Sequence, residues 1–150
     1  MSSLRRILHP TDFTPASRAG FTRAVSMAKK ERAELLLVHV VAPLVTVAGG
    51  GPVSPHMYDG REIETAAGKY GEKQLSVLQA KARSAGVRAT TLVVPGVAAQ
   101  QIIRTARSKK ADLVIIGTHG RTGLARLFLG SVAARVVAGA PCPVLTVRGR

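Results

Sequence analysis

Apolar residues recur along the 150-residue chain at two spacings that take turns. Short continuous apolar runs suit strands buried on both faces, and apolar positions three and four apart suit helices with one buried side. Ile7 to His9 reads as a short strand closed by Pro10. Pro15 to Lys30 reads as a helix, with Thr14 as N-cap, Pro15 in the first turn and Phe21, Val25 and Ala28 along one side. Leu35 to Val41 is an unbroken apolar run, the pattern of a central parallel strand. Glu62 to Ala85 is a long helical segment stopped by Gly86, Val87 to Val94 is a third strand, and Val97 to Ser108 is a third helix. Leu113 to Ile116, Ser131 to Ala138 and Pro143 to Val147 continue as strand, helix and strand. Two stretches interrupt the series: Ala42 to Gly60, with three consecutive glycines and two prolines, and a glycine-rich segment from Gly117 to Gly130.

This alternation predicts a three-layer α/β fold, a parallel sheet with helices on both faces and right-handed crossovers. No internal repeat or second domain is legible, so residues 1–150 read as one domain.

Composition refines the picture. Hydrophobic residues make up 46% of the chain but aromatics only 3%, with no Trp, so the core is aliphatic and a base-stacking platform for single strands is disfavoured. Twenty-two basic residues against eight acidic ones leave a net charge of +14, which favours polyanionic partners: nucleotides, nucleic acid or an acidic surface. The basic residues are scattered and form no tail. The single cysteine, Cys142, excludes a disulfide framework and suits a reducing compartment; between Pro141 and Pro143 it reads as a small packing residue. The N-terminal apolar run is too short for a signal peptide, and no apolar stretch reaches the ~18 residues of a membrane span. The expectation is a cytoplasmic protein without membrane insertion.

Chemistry concentrates in GTHGRTGLARLFLGS, after the fourth strand. Glycines there let backbone amides approach an anion, and Gly130 and Ser131 open a helix whose free amides and dipole point the same way. The Ser131 hydroxyl can cap that helix or donate to phosphate, and Arg121 adds a neutralising charge. The spacing is neither a Walker A loop nor a dinucleotide fingerprint, and a plain glycine-rich turn with a serine cap also accounts for it. Open α/β sheets bind ligands outside the carboxyl ends of their strands, where strand order reverses. If the first and fourth strands are neighbours, Thr11 and Asp12 face the glycine loop. With Thr14 and Pro15 starting the first helix, Asp12 is left to accept hydrogen bonds from a base or ribose.

At these residues the sequence resembles the universal stress protein family. The family mark is G-x2-G-x9-G-[ST], matched by Gly117, Gly120, Gly130 and Ser131, and the likeness extends through ILHPTDFTPAS, ELLLVHV and PCPVLTV. The resemblance implies a five-stranded parallel sheet in the order 3-2-1-4-5, Rossmann-like and similar to adenine nucleotide alpha hydrolases, and the subtype that binds ATP. It implies that Pro10, Thr11 and Asp12 meet adenine and ribose, and that Val40 offers backbone groups to adenine. Gly117, Thr118, His119, Gly120, Arg121, Thr122 and Gly123 would wrap ribose and phosphates. Gly130, Ser131, Val132 and Ala133 would hold the phosphate tail, with Mg²⁺ or Mn²⁺ on the nucleotide. Ala42 and Pro43 stand where many relatives carry an acidic residue. The resemblance also implies a homodimer through the fifth strand, Val144, Leu145, Thr146 and Val147. Pairing of an otherwise exposed apolar edge supports that independently.

His9 and His39 read as core histidines, His56 as a loop residue and His119 as a polar loop position. None are spaced as a helical metal pair. No acidic pair or obvious base activates water, so no catalytic residue is assigned. Three functions follow: an ATP-binding stress-response regulator read by a downstream protein partner, a slow ATPase or self-phosphorylating protein with Ser131 or a nearby threonine as acceptor, as the resemblance implies, and a basic protein associated with nucleic acid.

Overall fold

The computed structural model describes residues 3–43, 60–118 and 129–149. Five strands and four helices alternate: β1 (Arg6–Pro10), α1 (Pro15–Glu31), β2 (Glu34–Val41), α2 (Gly60–Ser84), β3 (Ala89–Pro95), α3 (Ala98–Ser108), β4 (Leu113–Gly117), α4 (Ser131–Gly139) and β5 (Val144–Val147). Every strand pairing is parallel, and the order is β3-β2-β1-β4-β5. The expected 3-2-1-4-5 sheet is therefore observed, with strand order reversing at β1, between β2 and β4.

Side chains on successive strand residues point to opposite faces, which divides the core in two. Ile7, Leu35, Leu37 and Ile115 pack under Ala24 and Ala28 of α1 and Leu75 and Ala82 of α2. Leu8, Leu36, Val38, Val114 and Ile116 pack under Ile102 and Ala106 of α3 and Ala133 and Val136 of α4. β1, β2 and β4 are buried on both faces, which is why they read as continuous apolar runs.

Local signals set the helix ends. Thr14 caps α1, its hydroxyl accepting from the Ser17 amide at 3.4 Å. Gly86, at φ 85°, closes α2: its amide donates to Arg83 and the Val87 amide to Ala82, a Schellman closure. Val87 thus belongs to the cap, and β3 begins two residues later than the apolar pattern suggests. Cys142 is half-buried against the α3–α4 core, and burial pushes its thiol up, away from thiolate chemistry.

Candidate functional site

Where strand order reverses, the carboxyl ends of β1, β2 and β4 open into a crevice of about 470 Å³. Its walls come from four segments: the β1–α1 turn, the end of β2, the start of α3, and the end of β4 with the start of α4. Pro10, Thr11, Asp12, Val40, Gly117, Thr118, Gly130, Ser131, Val132 and Ala133 all line it. These ten residues, chosen from widely separated parts of the chain, are brought together by the fold. His119, Gly120, Arg121, Thr122 and Gly123 lie outside the described residues.

The phosphate-sized end is built by the start of α4. Gly130 is the N-cap, at φ −55° and ψ 150°, and no side chain caps the helix. The first helical bond runs from the Ala134 amide to the Gly130 carbonyl at 2.9 Å. The amides of Ser131, Val132 and Ala133 are left without a helical acceptor at the crevice wall, at the positive end of the helix dipole. Ser131 is the first residue of α4 rather than its cap, and its side chain is exposed. The serine-cap reading of this position is therefore excluded, and the hydroxyl is available to a ligand.

Asp12 departs from expectation. Its Oδ1 accepts from the Thr14 amide at 3.0 Å, the Thr14 hydroxyl at 2.5 Å and the Ser17 hydroxyl at 2.6 Å. The carboxylate is thus part of the α1 start and is not left free by Thr14. Burial opposes its ionisation, but the hydrogen bonds from Ser17 and Thr14 outweigh that and hold it below the usual carboxylate range. The side-chain bonds from Thr14 and Ser17 all fall on Oδ1, and the residue lines the crevice. Phe13 makes this turn possible in a left-handed conformation, φ 64°, uncommon for a bulky residue. Its amide donates to the Thr11 hydroxyl at 3.0 Å, and its ring packs on His39 at 4.6 Å and edge-on to Tyr70 at 6.1 Å.

His39 was read from sequence as a core residue, yet it also lines the crevice, with Nδ1 2.8 Å from the Thr11 carbonyl. Ser17, Val38, Ala98, Ile102 and Ile116 line it as well. A position near the carboxyl end of a central strand was the available signal for His39. The start of α3 carried no polar signature that could have marked Ala98 and Ile102.

The glycines serve packing. A Cβ on Gly117 would lie 2.7 Å from the Ala16 carbonyl oxygen, and one on Gly130 would lie 2.6 Å from the Thr118 carbonyl oxygen. Both glycines let backbone segments touch, and that contact sets the shape of the crevice.

A doubly wound parallel sheet with a helix N-terminus at its switch-point crevice defines a class of α/β ligand-binding domains. The sequence model of the universal stress protein family matches residues 3–148, and the chain belongs to that family. It is 36% identical to universal stress protein MJ0531 of Methanocaldococcus jannaschii over 146 residues, 96% of this chain and 82% of the relative. It is 34% identical to universal stress protein YxiE of Bacillus subtilis, over 95% of this chain and 98% of the relative. Among solved structures, UspA from Lactobacillus plantarum superimposes with a TM-score of 0.83 at 25% identity, over 99% of this chain and 100% of the other. Two further neighbours share the fold. One is a universal stress protein in complex with cAMP (TM-score 0.67, 24% identity, 99% and 100% covered). The other is an Arabidopsis thaliana family protein with AMP bound (TM-score 0.70, 19% identity, 97% and 92% covered).

Proposed function

We infer that the crevice binds an adenine nucleotide, ATP by preference, and that the chain acts as a nucleotide-dependent regulator in the stress response. The observation that carries this is the start of α4: three adjacent backbone amides and a non-capping serine hydroxyl facing a crevice of about 470 Å³. That size suits a nucleotide, and the amides supply anion contacts without a lysine. Val40, half-buried near the end of β2, gives an apolar wall for the base, and the carboxylate of Asp12 gives an acceptor for ribose hydroxyls. The nucleotides held by the cAMP and AMP neighbours support the reading. Asp12 is the one carboxylate at this crevice among the described residues, so Mg²⁺ or Mn²⁺ would be carried mainly by phosphate oxygens.

Asp12 and His39 are the titratable groups at the crevice among the described residues. A carboxylate held below its usual range is a poor proton acceptor near neutrality, and His39 Nδ1 is engaged with Thr11. This favours binding over rapid hydrolysis. The four-residue β5 is an edge strand, and α4, which packs on it, exposes Val132 and Val137. A homodimer through β5 would cover both.

The test uses Ser131→Asp. A carboxylate in the first turn of α4 favours the helix dipole but repels a phosphate tail. Calorimetry should show ATP binding to the wild type in the micromolar range, about tenfold or more weaker in Ser131→Asp, with thermal stability retained. Wild-type protein that takes up no ATP at about 1 mM, or a variant that binds as tightly, would sink the proposal.

A further inference from the structure

The basic residues look scattered in the sequence, but the fold gathers half of them. In a parallel sheet all strands start at the same end, and the crossover helices finish there. At that end, opposite the crevice, α1 finishes with Lys29 and Lys30, followed by Arg32. α2 finishes with Lys81 and Arg83, followed by Arg88 ahead of β3. α3 finishes with Arg107, followed by Lys109 and Lys110 ahead of β4, and β1 opens with Arg5 and Arg6. All eleven side chains are exposed, half of the chain's 22 basic residues.

The acids at this end are Glu31, Glu34 and Asp112, so eleven positive against three negative leaves +8 of the chain's +14. Two of the acids are committed locally. Asp112 Oδ2 accepts the Arg5 and Arg6 amides at 2.8 and 2.9 Å, and Glu34 is shared by Arg6 Nε at 3.8 Å and the Thr90 hydroxyl at 2.8 Å. Arg6 with Glu34 is the only salt bridge among the described residues. Basic residues at helix ends complement the helix dipoles, but three dipoles supply roughly half a charge each, far less than this excess.

We propose that this end of the sheet binds the phosphate backbone of double-stranded DNA, independently of base sequence. Three observations choose this partner among polyanions. No large apolar side chain is exposed along these segments, so a protein interface would lack an apolar centre and a membrane would find no wedge. No aromatic ring is present there to stack unpaired bases, which excludes a single-strand platform. The cations stand around β3, β2, β1 and β4, a row about 15 Å wide flanked by helix layers that bring the face to roughly 30 Å. A duplex presents one negative charge per ~1.7 Å of axis with both strands counted, so roughly 30 Å of it carries more than a dozen phosphates, about half of them on the side that faces the protein.

The experiment measures anisotropy of a labelled duplex of arbitrary sequence with the full-length protein over a salt series. Wild-type protein is expected to bind, with log Kd rising against log salt at a slope of about 4 or more. Arg32→Gln, Arg88→Gln, Lys109→Gln and Lys110→Gln combined should weaken binding about tenfold or more at 0.1 M salt and flatten the slope. The same charge loss elsewhere, Arg23→Gln, Lys73→Gln, Arg104→Gln and Arg135→Gln combined, should change affinity less than about threefold. A charge-conserving set, Arg32→Lys, Arg88→Lys, Lys109→Arg and Lys110→Arg, should bind as wild type, separating lost charge from altered shape. Four results would overturn the proposal: equal loss in both neutralised sets, no duplex binding at low salt, displacement of the duplex by phosphatidylglycerol vesicles of equal charge, or tighter binding of duplex RNA than of DNA. None of these readouts depends on nucleotide in the crevice.

Discussion

His9 sits where water does not reach, 0% exposed between the central strands and α1. Its Nδ1 lies 2.8 Å from the Ile115 carbonyl, which can only accept, so that nitrogen carries the proton and Nε2 is a bare lone pair with no partner among the described residues. Gly20 lets α1 lie directly over the ring, since a Cβ there would come 3.0 Å from His9 Cε1. Burial pushes the imidazole down to about 4, against the smaller opposing pulls of the Ile115 carbonyl and Asp12. A histidine depressed in the folded state is charged more readily when unfolded, near 6.5. Stability is therefore full above about pH 6.5 and is lost as pH falls from there towards 4. Denaturant titrations should show a loss of about 2 kcal/mol between pH 7 and 5 from this residue. His9→Asn keeps a donor for Ile115 and should be less stable at pH 7 through lost packing, but with a clearly flatter pH dependence. An equally steep slope in that variant would assign the acid sensitivity to another group.

At the scale of elements, the junction between β4 and α4 shows why the glycine motif has two meanings. Gly130 donates its amide to the Thr118 carbonyl, and the same carbonyl oxygen occupies the space a Cβ would need. Gly130→Ala should therefore destabilise the fold by about 1–3 kcal/mol through overpacking, more than the ~0.4–1 kcal/mol gained from a stiffer unfolded chain. Ser131→Ala, at an exposed position that caps nothing, should leave stability within about 0.5 kcal/mol. Urea unfolding of the two variants checks this contrast; equal losses would mean the serine does support the helix. The alternation of elements was legible because buried parallel strands and helix stops leave strong local patterns, whereas the strand order, and with it the place of the crevice, came from the family resemblance. What was not legible depends on atoms from different elements meeting. The glycines read as anion contacts but accommodate neighbouring backbone. Asp12 read as free because the Ser17 hydroxyl that helps to hold it comes from the third residue of α1, five positions along the chain. His39 read as core because only the folded β1–α1 turn places Thr11 and Phe13 against it.

For the whole molecule, the distribution of charge matters more than its total. Eleven cations against three anions leave an excess of like charge at one end, held together in the folded state and separated when the chain unfolds, so the repulsion among the cations opposes folding. Such repulsion is screenable: the Debye length falls from roughly 20 Å near 0.02 M salt to about 6 Å near 0.3 M. At the lower salt most pairs across a ~30 Å face still interact; at the higher only near neighbours do. Attraction is sparse by comparison, because Arg6 with Glu34 is the only salt bridge among the described residues and surface pairs contribute at most about 1 kcal/mol. Sodium chloride should thus raise the melting temperature by several degrees over that range, a gain of roughly 1–2 kcal/mol for a domain of this size. The four-glutamine variant of the basic end should show about half that rise, while the control set with the same net charge should keep most of it. A melting temperature that fell with added salt would mean that favourable ion pairs outweigh the repulsion, and would remove the electrostatic cost argued for the basic end.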